Sequence, residues 1–308
     1  MAHDHHHDHS HSHGHGHHHH SHAPADTGDW RYALGLTVNL VFVAIEFGAG
    51  VFSNSTALMA DAGHNLSDVL GLAMAGGAAW LARRASSSRK TYGYGKATVL
   101  AALANALLLI FACGAIAFEA VRRFAEPAPV QSGLIMIVAA IGFVINFGTA
   151  LLFIRHQHSD LNAKGAYLHM MADAAVSIGV VVAGGVIWMT GWSLVDPVVS
   201  LVIVVVILIG TWGLLKDSVD LALDAAPRGV DVAAVRDAFL ALPGVSAVHD
   251  LHVWGLSTTE TALTAHLVHD RADSPALLAE AQKTARGFGV GHVTLQLESG
   301  PTADCPTC

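Results

Sequence analysis

The sequence predicts two fold classes in one chain: an all-α transmembrane domain of six helices, then a small α+β domain in the order αββαβ. Three observations carry this. Of 308 residues, 53% are hydrophobic and only 13% charged, which is too apolar for an ordinary soluble domain. The apolar residues gather into six blocks, each with the roughly 20 residues a helix needs to cross about 30 Å of hydrocarbon. After Lys216 those blocks stop, and shorter amphipathic and alternating segments take over.

Residues 1–29 mix His, Asp, Ser and Gly with no apolar face, which predicts a disordered tail. The interleaving argues against a cloning tag. Clustered imidazoles bind Zn²⁺, Ni²⁺ or Cu²⁺ without selecting among them. No secretory signal is visible, because the first apolar stretch follows only after Trp30. The predicted transmembrane domain covers 30–217, with spans at roughly 31–52, 57–82, 98–121, 131–154, 166–190 and 194–215. Turn-like stretches interrupt them at Ser53-Asn54-Ser55, Glu126-Pro127-Ala128-Pro129 and Thr190-Gly191-Trp192-Ser193.

Basic residues predict the orientation. Arg83, Arg84, Arg89, Lys90 and Lys96 follow the second span, and Arg155 and Lys164 follow the fourth. Only Arg122 and Arg123 stand on the other side, so both termini are expected in the cytoplasm. The second domain, 226–300, opens with an amphipathic helix over 231–242 that ends at Pro243-Gly244. Strands are expected over 245–256 and 261–268. A helix N-capped by Ser274, with Pro275 at its first position, runs to about Gly287, and a third strand covers 292–298. A tail, 301–308, carries Cys305 and Cys308 as a lone C-x-x-C, open to redox, metal-binding or incidental readings. Cys113 lies in an apolar helix and reads as a packed side chain.

Two apolar spans repeat one motif. His64-x-x-x-Asp68 lies on the second and His169-x-x-x-Asp173 on the fifth. The i, i+4 spacing puts imidazole and carboxylate on one helix face. Ionisable groups at such depth mark function by default. Two His and two Asp from two helices make an N₂O₂ cage for a divalent cation. Two carboxylates cancel the double charge in low dielectric, and two imidazoles favour Zn²⁺. No thiolate or thioether recurs in the motif, which argues against Cu(I); Co²⁺, Cd²⁺ and Ni²⁺ remain open. Metal needs deprotonated ligands, so metal and protons compete for the site, and a site opening to two sides alternately would exchange them.

Glu46 and Asp61 have two open readings, as groups lining the ion route or relaying protons, or as interhelical hydrogen-bonding groups. Asn39, Asn105 and Asn146 read as polar glue between helices. The chain shows no phosphate-binding G-x-x-x-x-G-K-[ST] loop, and nothing suggests nucleic-acid binding. An embedded zinc hydrolase would need an open coordination position and a general base, and no H-E-x-x-H is present. A non-transporting metal sensor or buffer is a third reading, for which six spans are an elaborate frame.

The stretches NSTALMADAGHNLSDVLGL, KTYGYGKATVLAALANALLL, HMMADAAVS, VDPVVSLVIV and VHDLHVW together resemble the cation diffusion facilitator family over about residues 30–300. The subgroup it resembles is the zinc-type bacterial exporters related to animal zinc transporters. That resemblance implies a six-helix transmembrane domain and a cytoplasmic domain of ferredoxin-like, metallochaperone-like fold. It implies a homodimer in the plasma (inner) membrane that exports Zn²⁺ in exchange for protons. Carried over by position, His64, Asp68, His169 and Asp173 would be the transport ligands. His249, His266, His292 and Glu298 would form a cytoplasmic zinc site, with Cys305 and Cys308 as extra ligands. Thr98 stands where the family often has an acidic residue, and the loop from Ser86 to Lys96 is expected to hold no metal. Its basic residues would anchor to lipid phosphates or to acidic groups at the dimer interface. His249 and His252 differ in parity, so an unbulged strand would turn them to opposite faces and leave His252 structural. Trp254 reads as a packing anchor.

Overall fold

The computed structural model describes residues 30–154 and 161–299, the side chains of 30–36, 38–39, 152–153 and 161–166 excepted. The His-rich tail 1–29, Cys305, Cys308, Arg155 and the side chains of Asn39 and Lys164 lie outside the described residues.

Six long helices come first: α1 (Trp30–Ser53), α2 (Thr56–Ala82), α3 (Lys96–Ala125), α4 (Ser132–Phe153), α5 (Leu161–Thr190) and α6 (Val195–Ala222). Among the described residues, four of them, α3 to α6, contain windows long and apolar enough to cross a membrane. α2 falls short because it carries Asp61, His64, Asn65 and Asp68 along its length. Large apolar side chains such as Phe111, Phe118, Trp188, Ile209 and Trp212 point outward from the bundle. That inside-out surface is stable only against lipid or another apolar partner. Inside, Leu58, Leu109, Ile135, Val180 and Ile203 pack into one core. Cys113 is buried in the same core.

α6 runs past Lys216, where the sequence texture changes, to Ala222. Its last turns are polar and are held from outside. Asp217 pairs with Arg228. Lys96 Nζ donates to Leu221 O at 2.7 Å and to Asp224 Oδ1 at 2.6 Å. Lys96 is thus engaged within its own chain.

The second region is α7 (Val232–Leu240), β1 (Val245–Gly255), β2 (Thr261–His269), α8 (Ser274–Gly287) and β3 (His292–Ser299). The sheet order is β1-β2-β3, with β1/β2 antiparallel and β2/β3 parallel. Both helices pack on one face, where Val235, Phe239, Val248, Leu263, Leu267, Ala281 and Ala285 form the core. Asp273, not Ser274, caps α8, by accepting from Ala276 N at 3.1 Å. The Ser274 hydroxyl lies 3.4 Å from His269 Nε2 instead.

β1 is bulged. His249 pairs with His266 and His252 with Thr264, so β1 advances three residues while β2 advances two. Asp250 sits in the bulge at φ 51°, a left-handed conformation that Asp tolerates. The extra residue resets the parity, so His249 and His252 share the open face of the sheet. The opposite-face expectation fails for that reason.

Candidate metal centre

α2 and α5 run antiparallel through the bundle, and this sets the pairing of the two motifs. His64 Nε2 lies 3.4 Å from Asp173 Oδ1, and His169 Nε2 lies 3.2 Å from Asp68 Oδ2. Within each helix the His–Asp distance is 3.7 Å. The four ligand atoms fall within 4.8 Å of one another. A tetrahedral ion about 2.0–2.1 Å from each ligand sets ligand–ligand edges of about 3.4 Å. The His–Asp separations run from 3.2 to 3.7 Å around that value, with Asp173 turning Oδ1 to His64 and Oδ2 to His169. The rings of His64 and His169 meet edge to face at 6.0 Å.

Access to the cluster is graded. Side-chain exposure is 36% at Asp68, 27% at His169, 18% at His64 and 3% at Asp173. Asp68 lies nearer the basic-loop end of α2, so the cluster opens toward that end. Deeper still, Asn65 Nδ2 donates to Glu46 Oε2 at 3.2 Å, and Ser177 Oγ donates to Asp61 Oδ2 at 3.2 Å. Ser67 Oγ donates to Asn105 at 3.3 Å, as interhelical glue should. Asn146 is buried, and its Nδ2 has no acceptor among the described residues.

A second cluster lies on the open face of the sheet. His249 Nε2 is 3.0 Å from Glu298 Oε2, and His266 Nδ1 is 2.9 Å from Glu298 Oε1. These three residues are close enough to share an ion. The His249 contact holds the Glu298 carboxyl below the usual carboxylate range, helped by Gln296 and by the charge of His266. Asp250 extends the chain of contacts, 3.6 Å from His266 Nε2 and 2.8 Å from His252 Nε2. His292 stands apart. It is six residues from Glu298 along β3, roughly 20 Å in a strand, and its ring meets Tyr92 at 5.4 Å. Trp254 pairs with the buried Ala262.

The sequence matches the family described as the cation efflux transmembrane domain over residues 33–221, and the one described as the cation efflux protein, cytoplasmic domain, over 227–300. The chain belongs to the cation efflux family. The metal cation efflux system protein CzcD of Cupriavidus metallidurans is 39% identical over 274 residues, 88% of this chain and 86% of that one. The zinc transporter ZitB of Escherichia coli is 36% identical, over 88% of this chain and 87% of its own. The cadmium, cobalt and zinc/H⁺-K⁺ antiporter of Bacillus subtilis is 32% identical over 84% of this chain and 85% of its own. Among solved structures, a metal-bound C-terminal domain of the Cupriavidus CzcD matches at 44% identity, covering 22% of this chain and 99% of that one, with a TM-score of 0.21.

Sequence reasoning missed one site in this cation efflux protein, at the ends of α2, α3 and α6. Asp196 is 1% exposed and accepts from Thr56 N and Thr56 Oγ1, both at 2.7 Å, and from Ser55 Oγ. Arg123 lies 3.8 Å from Asp196, donates to Asn54 Oδ1 at 2.7 Å and to Asn54 O, and pairs with Glu119 at 3.2 Å. Its charge is therefore spent on partners. That is why a basic residue sits at the end opposite the basic loop. The signal was present as an acidic residue in the first turn of α6, just before Pro197. Thr98 also gains a role, because its Oγ1 donates to Gly95 O at 2.9 Å and accepts from Thr258 N at 3.1 Å.

Proposed function

We propose that this membrane protein exports a divalent cation, Zn²⁺ foremost, from the cytoplasm in exchange for protons, by alternating access at His64, Asp68, His169 and Asp173. The observation that carries the reading is the convergence of two imidazoles and two carboxylates from two antiparallel helices, with ligand atoms within 4.8 Å of one another. Each carboxylate faces an imidazole of the other helix, so a bound dication is neutralised without a thiolate. Protonation of either imidazole would remove a ligand, which couples the ion to protons. Relatives named as zinc transporters and as a proton-coupled antiporter support the same direction. A relative named for cadmium, cobalt and zinc supports a broader ion range, which competition among these ions in flux assays decides.

All six long helices cross the plasma (inner) membrane, with both termini cytoplasmic. The transmembrane domain spans 30–217, its sixth helix continuing into the cytoplasm. The domain at 226–300 forms a homodimer, and the ferredoxin-like, metallochaperone-like assignment belongs to it. His249, His266 and Glu298 hold a regulatory zinc there. The chain from Glu298 to Cys305 is long enough to fold back, so Cys305 and Cys308 can add thiolates. His292 contributes only if β3 is met by a second copy.

The test is metal flux into vesicles holding the purified protein, with and without a pH gradient. Asp173→Ala should abolish Zn²⁺ flux and leave the fold intact by circular dichroism. Undiminished flux in that variant would sink the proposal.

A further inference from the structure

Beyond the four-residue cage, away from the basic loop, lie two carboxyl groups that the cage does not use. Glu46 of α1 and Asp61 of α2 are each 0% exposed. Their side chains are within hydrogen-bonding reach of each other. Each has one oxygen served by a neutral donor, Asn65 for Glu46 and Ser177 for Asp61. The other oxygen of each, Glu46 Oε1 and Asp61 Oδ1, is buried and has no hydrogen-bond donor among the described residues.

Among the described residues, the basic groups of α3, which packs on α2, are engaged elsewhere: Arg123 with Glu119, Asp196 and Asn54, Arg122 with Glu119, and Lys96 with Asp224. His64 is the basic side chain that acts on Asp61. α1 packs on α2 and α4. α4 carries no titratable side chain, and α2 carries no Lys or Arg. α2 presents Asp61 and, one turn further on, His64, while α5 adds the negative charge of Asp173. Lys164 of α5 is nine residues before Asp173, about 13 Å along the helix. Arg31 of α1 is 15 residues from Glu46, about 22 Å along the helix. Two bare carboxylates side by side and out of water repel each other, and both lack hydration. A single shared proton removes the repulsion and gives each orphaned oxygen a partner, as paired carboxyl groups do elsewhere.

We propose that Glu46 and Asp61 hold one proton between them, as a proton-binding site separate from the metal cage, and that this proton is exchanged for the metal. The proposal rests on the metal–proton exchange proposed above. When a dication enters the cage, the Glu46 O–H bond breaks. The proton leaves through the opening beside Asp68 to water on the cytoplasmic side. Both carboxylates then face the added double positive charge. After the metal departs on the far side, water there returns a proton to Glu46 Oε1. The pair thus carries charge in the direction opposite to the metal without occupying its ligands.

Calorimetry of the full-length protein with ZnCl₂, in two buffers of different ionisation enthalpy, reads the protons released. In Glu46→Gln the release at saturation should fall by about one proton per chain, while Zn²⁺ still binds. Equal release in variant and wild type overturns the proposal. A second measurement needs no variant. Infrared difference spectra of the wild type should show the C=O stretch of a protonated carboxylic acid disappearing when Zn²⁺ is added. No such loss overturns the proposal as well. Zn²⁺ binding that Asp173→Ala fails to weaken would instead defeat the cage itself.

Discussion

Glu298 shows how one residue links charge to the cytoplasmic cluster. The His249 hydrogen bond lowers its folded pKa below the ordinary 4.5. A depressed carboxylate contributes stability above its unfolded pKa, and loses it as pH falls through the folded value. The contribution is therefore intact near neutral pH and fades below about 4.5. An NMR titration of the Glu298 carboxyl in metal-free protein should give a midpoint under 4.5. His249→Ala should move it up toward that value, and a midpoint that stays put would remove His249 as the cause. The same ring nitrogen that serves Glu298 is the one a metal would take, so metal binding and this contact compete. Sequence parity alone separated His249 from His252, because it assumed an unbulged strand. One extra residue, Asp250, overturns that, and no local sequence signal announces it.

At the scale of elements, the junction of α2, α3 and α6 carries a buried charge network apart from the candidate metal centre. Asp196 closes the first turn of α2 through Thr56 and Ser55 while facing Arg123. Arg123 keeps Glu119 and Asn54 if Asp196 is removed, but the buried donors of Ser55 and Thr56 lose their acceptor, at a cost of about 1–3 kcal/mol. Asp196→Ala should accordingly lower the melting temperature in detergent by several degrees. An unchanged melting curve would show that water replaces the carboxylate at Ser55 and Thr56. The helices themselves were legible as segments, because apolar runs of the right length need no tertiary information. Their ends were less so. α6 outruns its apolar stretch because Lys96 and Arg228, distant in sequence, hold its polar last turns.

Across the whole molecule, the two regions meet where the turn between β1 and β2 presses on the start of α3. A Cβ at Gly95 would lie 2.7 Å from Leu256 O, a contact with backbone that cannot simply rotate away. Beside it, Thr258 N donates to Thr98 Oγ1. Gly95→Val should push the turn off and break that hydrogen bond. Losing about 1 kcal/mol there should speed Thr258 amide exchange about fivefold. Exchange at the wild-type rate would mean that the turn is held elsewhere. Gly255 reinforces the fit, since a Cβ there would lie 2.7 Å from the Leu221 side chain at the end of α6. The hydroxyl of Thr98 thus ties the start of α3 to the turn between β1 and β2.

The sequence by itself determined the long apolar helices, the αββαβ order and the two His-x-x-x-Asp motifs. Each depends on spacing within one segment, 3.6 residues per turn or two per strand repeat. Only the tertiary structure decided which His faces which Asp, because that follows from α2 and α5 being antiparallel neighbours. It also decided that His292 stands apart from Glu298, that Arg123 faces Asp196, and that Glu46 and Asp61 meet. These are contacts between residues far apart in the chain. Their chemistry is written in the residue types, but their proximity comes from how apolar faces pack around them.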